Sequence, residues 1–201
     1  MDFSLIRNNL ESKGYAVSCF DSKEEAALYL TETVKNTTVG FGGSMTLKEM
    51  DLYTKLSAEN TVDWHWTPKE GQSVAQAHKA AAEADVYICS VNGIAETGEI
   101  INIDGTGNRV ASTIFGHKKV IFVVGKNKIA PDYEKAMWRA RNIASPKNAQ
   151  RIGIATPCAV KGDKCYNCQS PAKICRSFSV FMEKPGGCQY EIILVNEDLG
   201  Y

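Results

Sequence analysis

The residues best suited to bind a ligand form a glycine-rich turn with the sequence Thr38-Val-Gly-Phe-Gly-Gly-Ser-Met-Thr46. An apolar run ends at Phe41 and a helical pattern begins at about Met45, so the turn joins a buried strand to a helix. Open α/β sheets bind ligands at the carboxyl ends of their strands, where free backbone N–H groups attract anions. The residues of this turn that we predict to bind an anion or a carboxylate are Gly40, Gly42, Gly43, Ser44 and Thr46.

The spacing of the turn matches neither of two common phosphate-binding motifs. It lacks the Gly-Lys-Ser/Thr sequence of a Walker loop, and Met45 stands where GxGxxG requires its third glycine. The alternative interpretation is a structural turn in which Ser44 only caps the following helix.

A second polar segment, Asn102-Ile-Asp-Gly-Thr-Gly-Asn-Arg109, leads from a hairpin predicted around Thr97-Gly98 into another helix. Arg109 could pair through two hydrogen bonds with a carboxylate or a phosphate. Asp104 could accept a hydrogen bond from a substrate or act as a base. The predicted ligand-binding residues of this segment are Thr106, Asn108 and Arg109, with Asp104 as the candidate catalytic residue. The alternative has Asp104 capping the helix and Arg109 in a surface salt bridge.

Glu96, a lone carboxylate at the tip of the predicted hairpin, is a second candidate catalytic residue, although such a side chain is usually solvated. We expect the turn at Gly42–Thr46 to face the arginine-bearing segment across a shared cleft. The ligand site would then join the two segments.

Four cysteines follow within eighteen residues: Cys158, Cys165, Cys168 and Cys175. Four thiolates suit a zinc ion or an iron–sulfur cluster, and the Cys165–Cys168 pair has the spacing of a zinc knuckle. The outer gaps of six residues fit no standard zinc-finger or ferredoxin pattern. A redox-active set and four unbonded thiols therefore remain open beside a metal site.

Composition excludes several classes of partner. Lys+Arg and Asp+Glu both number 23, so the chain lacks the positive excess that nucleic acids or acidic lipids require. No apolar run approaches the roughly 20 residues needed to cross a bilayer, and the first residues show no secretory signal pattern. Seven cysteines without such a signal favour reduced thiols or metal ligands. We expect one cytoplasmic domain spanning residues 1–201.

Predicted strands alternate with predicted helices along most of the chain. Continuous apolar runs, of which Lys119–Gly125 is the clearest, indicate strands buried on both faces of a mostly parallel sheet. A further short strand is predicted at Arg151–Ala155. Phe178–Glu183 and Gln189–Val195 are interpreted as a closing antiparallel hairpin at an edge of the sheet.

The motifs together resemble the lactate-utilization (LUD) domain family over about residues 1–201. The resemblance rests on Val39–Glu49, on Asn102–Arg109, on Val120–Lys128, on the Thr156-Pro157-Cys158 and Ser170–Cys175 segments, and on Leu194–Gly200. It implies a three-layer α/β/α sandwich similar to ribose-phosphate isomerase, glucosamine-phosphate deaminase and CoA transferases. In those proteins glycine-rich loops at strand ends hold phosphate, sugar or CoA.

The resemblance also implies a role beside iron–sulfur proteins in the oxidation of L-lactate to pyruvate. CoA transferases use a catalytic glutamate, for which Glu96 is the nearest candidate here. The preferred hypothesis is a lactate-utilization-type protein that binds a small anionic metabolite or a nucleotide-like ligand.

Two alternatives come from other classes: a non-catalytic subunit that carries zinc or an iron–sulfur cluster for an oxidoreductase partner, and a CoA or sugar-phosphate enzyme. The sequence leaves open whether the chain turns over a substrate and whether it forms a homo-oligomer.

Overall fold

The computed structural model describes residues 1–201, and its elements are numbered here in chain order. Six strands form an entirely parallel main sheet. Across this sheet they lie in the order Ala16–Phe20 (β1), Gln189–Val195 (β10), Lys119–Gly125 (β7), Val86–Cys89 (β4), Thr38–Phe41 (β2) and Thr61–Trp64 (β3). The central strands are continuous apolar runs, as burial on both faces requires.

Helices cover one face of the main sheet. They are Lys23–Thr33 (α2), Met45–Glu49 (α3) and Leu52–Ser57 (α4). Together with the sheet they form a core of 18 buried residues, to which β2 contributes Val39 and Phe41 and β7 contributes Ile121 and Val123. The alternate residues of β7, such as Phe122, point to the opposite face and belong to a second core.

The opposite face is covered by two helices and a smaller sheet. The helices are Ser4–Ser12 (α1) and Val74–Glu83 (α5). The smaller sheet has the order Ile129–Ala130 (β8), Gly93–Ala95 (β5), Ile100–Asp104 (β6) and Ser177–Phe181 (β9). Ile94, Ile100 and Phe181 pack from it against the main sheet.

The remaining helices complete the outer layers. They are Asn108–Ile114 (α6), Tyr133–Arg139 (α7), Ser145–Ile152 (α8) and Pro157–Lys161 (α9), with a short 3₁₀ turn at Lys126–Lys128 and a π turn at Ala140–Ala144. Ala136 of α7 packs on the outer face of the smaller sheet. The predicted α/β architecture is confirmed, and its antiparallel strands form a separate sheet. No helix has both the length and the apolar surface that a membrane span would need.

The hairpin predicted around Thr97-Gly98 is confirmed, because β5 and β6 pair antiparallel with Ile94 opposite Ile100. The predicted closing hairpin is wrong. β9 pairs with β6 in the smaller sheet, whereas β10 pairs parallel with β1 and β7 in the main sheet. β10 is buried from Tyr190 onward and ends in the apolar run Ile192–Val195, which suits a central parallel strand better than a half-exposed hairpin arm.

The predicted strand at Arg151–Ala155 is also wrong. Helix α8 continues to Ile152 and ends at Gly153, whose left-handed backbone (φ 76°) is the usual conformation after a helix. The stretch of alternating apolar residues was too short to distinguish the end of a helix from a strand.

Candidate functional site

A cleft of about 190 Å³ opens where three strands of the main sheet end. Its walls include Gly43 and Ser44 after β2, Ser90 and Asn92 after β4, and Lys128 after β7. The carboxyl ends of parallel strands are where open α/β sheets bind their ligands. The position of the cleft in the fold therefore agrees with the sequence-based expectation.

The two polar segments predicted to share a site do meet in this cleft. The predicted residues that line it are Gly43, Ser44, Asp104, Thr106, Asn108 and Arg109. Gly42 lies directly beneath Arg109, since a Cβ atom added to Gly42 would be 3.1 Å from the Arg109 Cγ. Gly42 thus leaves the space that the arginine side chain occupies.

Arg109 is buried and held by several acceptors. Its Nη2 donates to the Asn92 Oδ1 at 2.6 Å and to the Ile103 carbonyl at 2.8 Å. Its Nε lies 3.5 Å from the Asp104 Oδ1. The predicted alternative of a surface salt bridge is wrong, because only 8% of the residue is exposed. A fixed guanidinium of this kind is preorganised to meet an anion.

Asp104 organises the loop that carries Arg109. Its Oδ2 accepts hydrogen bonds from the backbone N–H groups of Arg109, at 2.9 Å, and Val110, at 3.1 Å. These amides begin helix α6 and have no partner within the helix. Asp104 therefore has the capping role that the sequence offered as an alternative, and it also balances the charge of Arg109.

Lys128, which was not among the predicted site residues, lies on the floor of the cleft. The residue is 3% exposed. Its Nζ donates to the Thr46 Oγ1 and the Ser90 Oγ, both at 2.8 Å. Burial, reinforced by the nearby Arg139 and Arg109, lowers the pKa of Lys128 to about 7. Thr46, predicted to bind ligand, instead lies behind the wall and positions this amine.

An aromatic wall faces the arginine-bearing loop. The guanidinium of Arg151 lies 4.6 Å from the centre of the Trp66 ring, and its Nε donates to the Tyr201 hydroxyl at 2.7 Å. His65 stacks on His78 with ring centres 4.2 Å apart. Burial, followed by the charge of His78, lowers the pKa of His65 to about 4, so its imidazole is neutral at pH 7.

The charges that line the cleft are mostly positive. Arg109 and Arg151 contribute two cations and Lys128 a partly protonated amine, whereas Asp104 is the one acidic side chain in the lining. Because Asp104 is already engaged by Arg109 and two amides, it does not neutralise Arg151 or Lys128. The electrostatics of the cleft therefore favour an anionic ligand.

Besides Thr46, three more of the predicted site residues lie outside the lining of the cleft. A Cβ atom at Gly40 would lie 2.1 Å from the Ala81 carbonyl oxygen, so this glycine permits close packing of α5 on β2. Gly42 has the packing role described above. Glu96 does not line the cleft, because the tip of its hairpin folds against α1, where the Asn9 side chain donates to the Glu96 carbonyl at 2.7 Å. The structure thus gives no support to Glu96 as a catalytic residue.

The four clustered cysteines are brought together around a second pocket of about 200 Å³. They are Cys158, Cys165, Cys168 and Cys175, and each is partly buried. The Asn167 backbone N–H donates to the Cys165 Sγ at 3.4 Å. No three His, Cys, Asp or Glu side chains are placed closely enough to hold a metal ion. A metal at these cysteines therefore stays a prediction.

Some of the missed residues had a usable signal in the sequence. Ser90 directly follows β4, and Asn92 and Lys128 come three residues after the ends of β4 and β7. The rule that ligands bind at the carboxyl ends of strands indicates these positions. Arg151 and Tyr201 had no such signal, since they reach the cleft from α8 and from the last residue of the chain.

Comparison with known proteins identifies a family and structural relatives of the chain. The family model described as "LUD domain" matches residues 4–195. A DUF162 family protein from Deinococcus radiodurans has a similar structure, with a TM-score of 0.52 and 13% identity over 97% of this chain and 99% of that one. At this identity the likeness shows a shared fold.

A second structure, eIF2B beta from Chaetomium thermophilum, matches 66% of this chain and 44% of its own with 13% identity, and its TM-score of 0.33 is too low to support any inference. No curated protein matches the chain.

Proposed function

The chain belongs to the LUD domain family, and from this membership and the cleft we propose that it is a lactate-utilization-type protein that binds a small anionic metabolite. The proposed role is participation in the oxidation of L-lactate to pyruvate. Both compounds are small carboxylates, and both match the charge of the cleft.

The observation that carries the proposal is the buried Lys128. A buried ammonium group is costly unless an opposite charge compensates it, and the acceptors of Lys128 are two neutral hydroxyls, so only part of its amine is protonated near pH 7. Arg151 adds a positive charge to the same cleft that no acidic side chain of the lining balances. A bound anion would compensate Arg151 and the protonated fraction of Lys128, and this is the physical reason to expect one here.

The size and polarity of the lining favour a small and polar ligand. The volume of about 190 Å³ is somewhat larger than the roughly 150 Å³ of a cavity that holds benzene. Thr106 and Asn108 place a hydroxyl and an amide beside Arg109, where they can bind hydroxyl or carbonyl oxygens of the ligand. Trp66, with Arg151 over its ring, forms the opposite wall.

A thermal-shift screen tests this function without assuming a reaction. The compounds are lactate, pyruvate, CoA esters, phosphosugars and nucleotides, each compared with sodium chloride at equal ionic strength. A ligand at 100 times its Kd stabilises the folded chain by about 2.7 kcal/mol, which is easily measured. Stabilisation by a small carboxylate supports the proposal. If none of the anions stabilises the chain beyond the salt control, the proposal is wrong.

The cysteine pocket favours a second candidate function, in which the chain carries zinc or an iron–sulfur cluster for an oxidoreductase partner. Four thiols line one pocket, and that pocket shares Ile103, Ser145 and Ile174 with the anion cleft. Soft thiolate ligands suit both kinds of metal centre. A centre at this place would lie next to the proposed ligand.

Elemental analysis and the visible absorption spectrum of anaerobically purified protein test this second function. Metal binding would require the four thiols to come closer together than they lie in this structure. Under this candidate function the wild type should contain metal, Cys168→Ser should lose it, and Cys19→Ser should retain it, because Cys19 lies apart from the pocket on β1. A colourless, metal-free preparation that binds its anion fully would remove this candidate.

A further inference from the structure

We propose that the amine of Lys128 forms an imine with the ligand, and that the ligand is therefore a small anion with a ketone or aldehyde group. This inference rests on the proposed function, because it assumes that a small anion occupies the cleft. It adds a covalent step and a narrower substrate class, the carbonyl-bearing anions.

The hydrogen bonds around Lys128 determine which of the neighbouring groups donate and which accept. The Thr46 hydroxyl lies 3.2 Å from the Leu199 carbonyl, and the Ser90 hydroxyl donates to the Val123 carbonyl at 2.6 Å. Because both hydroxyls give their protons to backbone carbonyls, each is left to accept from the Lys128 Nζ. The amine is thus held from two sides.

These contacts match the neutral amine better than the ammonium ion. A neutral amine has two N–H groups, which the two hydroxyls satisfy, and one lone pair that remains free. An ammonium ion would have a third N–H, and the hydrogen bonds of Lys128 include no third acceptor. The free lone pair is the nucleophile that imine formation requires, and Lys128 lines the cleft where a ligand would lie.

The surroundings of Lys128 also favour the neutral form near pH 7. The positive charges of Arg139 and Arg109 lower the pKa of Lys128, whereas Glu49 and Cys89 raise it. Glu49 is engaged elsewhere, since its Oε2 accepts from the Gly200 backbone N–H at 2.8 Å. Burial raises the pKa of the Cys89 thiol to about 12, so Cys89 carries no charge to offset the arginines.

The proposed step balances without any additional reactant. The Nζ lone pair attacks the carbonyl carbon, and the carbonyl oxygen takes up a proton to give a carbinolamine. The second amine proton and the hydroxyl group then leave as water, so that a C=N bond replaces the C=O bond. Arg109 and Arg151 would hold the anionic group of the ligand while this occurs. Hydrolysis reverses the step.

Reductive trapping tests the inference directly on the wild-type chain. The protein is incubated separately with pyruvate and with ribose 5-phosphate, each in the presence of cyanoborohydride, and is then analysed by intact mass and peptide mapping. These two probes distinguish a carboxylate from a phosphate as the anionic group. We expect one adduct per chain with at least one probe, located on Lys128.

Two lysine variants provide the matched comparison. Lys128→Met should give no adduct, and Lys118→Met should give the wild-type yield, because Lys118 is an exposed residue paired with Asp85 away from the cleft. Peptide mapping of the wild type locates the adduct even if Lys128→Met folds poorly.

The outcomes separate the imine from the proposed function. If pyruvate or ribose 5-phosphate stabilises the protein in a thermal-shift assay but yields no adduct on Lys128, the imine is overturned and anion binding stands. Adducts spread over exposed lysines also overturn it. If no anion binds at all, the proposed function is wrong, and the imine proposal that rests on it is wrong as well.

Discussion

The Lys128 Nζ lies 2.8 Å from the Thr46 Oγ1, although 82 residues separate the two along the chain. This hydrogen bond joins the turn that ends β7 to the first residues of α3. Both segments follow carboxyl ends of the main sheet, so the contact forms the floor of the cleft.

Replacing Gly42 by alanine should displace Arg109, because Gly42 lies beneath this side chain. The added Cβ would lie 2.9 Å from the Cys89 Cβ and 3.1 Å from the Arg109 Cγ, both closer than normal contact. Overpacking of this kind costs about 1–3 kcal/mol of unfolding free energy. We expect urea denaturation to show this loss, and anions to stabilise Gly42→Ala less than the wild type because Arg109 is displaced.

Gly186→Ala is the control for this substitution, since a Cβ atom at Gly186 would have no heavy atom within 4 Å. Its unfolding free energy should stay within about 0.5 kcal/mol of the wild type. Equal stability of the two glycine variants would show that Arg109 is not packed against Gly42 as described.

Lys128→Met should change how stability depends on pH. The unfolded chain keeps a proton on Lys128 up to its ordinary pKa of 10.5, whereas burial lowers the folded pKa to about 7. Between these values the unfolded state binds more protons, so the unfolding free energy of the wild type rises with pH and falls as pH drops towards 7. Lys128→Met has no titrating group at this position and lacks this pH dependence.

Urea denaturation of both proteins at pH 7, 8 and 9 measures the effect. The unfolding free energy of the wild type should rise relative to Lys128→Met, with a slope of at most about 1.4 kcal/mol per pH unit. Parallel pH profiles would mean that Lys128 is not held in a desolvated site.

Asp104→Ala should destabilise the chain and weaken anion binding together. The substitution removes the acceptor of the Arg109 and Val110 amides and the carboxylate beside the Arg109 guanidinium. Loss of such charged hydrogen bonds costs about 1.5–3 kcal/mol. Thermal denaturation with and without pyruvate measures both effects.

Asp132→Ala serves as the comparison for Asp104→Ala. Asp132 caps α7 through the Lys135 backbone N–H at 2.7 Å and lies outside the cleft. We expect a loss of about 1 kcal/mol with unchanged stabilisation by pyruvate. A full loss of pyruvate stabilisation in this variant would contradict the assignment of the cleft.

The sequence predicted the fold best where local pattern and burial agree. The run Lys119–Gly125 is apolar after its first residue and forms a central strand, and Thr97-Gly98 forms the tip of a hairpin with Gly98 at φ 98°. The errors fell near the C-terminus. There, β10 lies between β1 and β7 in the main sheet, and the local sequence pattern does not indicate which strands it pairs with.

The site was predictable in part for the same reason. Ser44 and Arg109 stand next to glycine-rich loops after strands, so their types and positions indicated a ligand. Lys128 looked like an ordinary surface lysine, because its burial depends on Thr46 and Ser90, which are distant in sequence. Arg151 and Tyr201 meet only through the tertiary fold.

The most direct test of the anion cleft is calorimetric titration of Arg151→Ala with pyruvate and, separately, with inorganic phosphate. Arg151 is exposed over Trp66, so its removal takes one cation from the cleft with little risk to folding. Arg7→Ala removes another exposed arginine, which lies on α1 and pairs with Glu11 at 2.8 Å. We predict that at least one anion binds the wild type, that Arg151→Ala raises its Kd roughly tenfold or more, and that Arg7→Ala leaves it unchanged. Equal affinities for the two variants, or no binding of either anion to the wild type, would contradict the account.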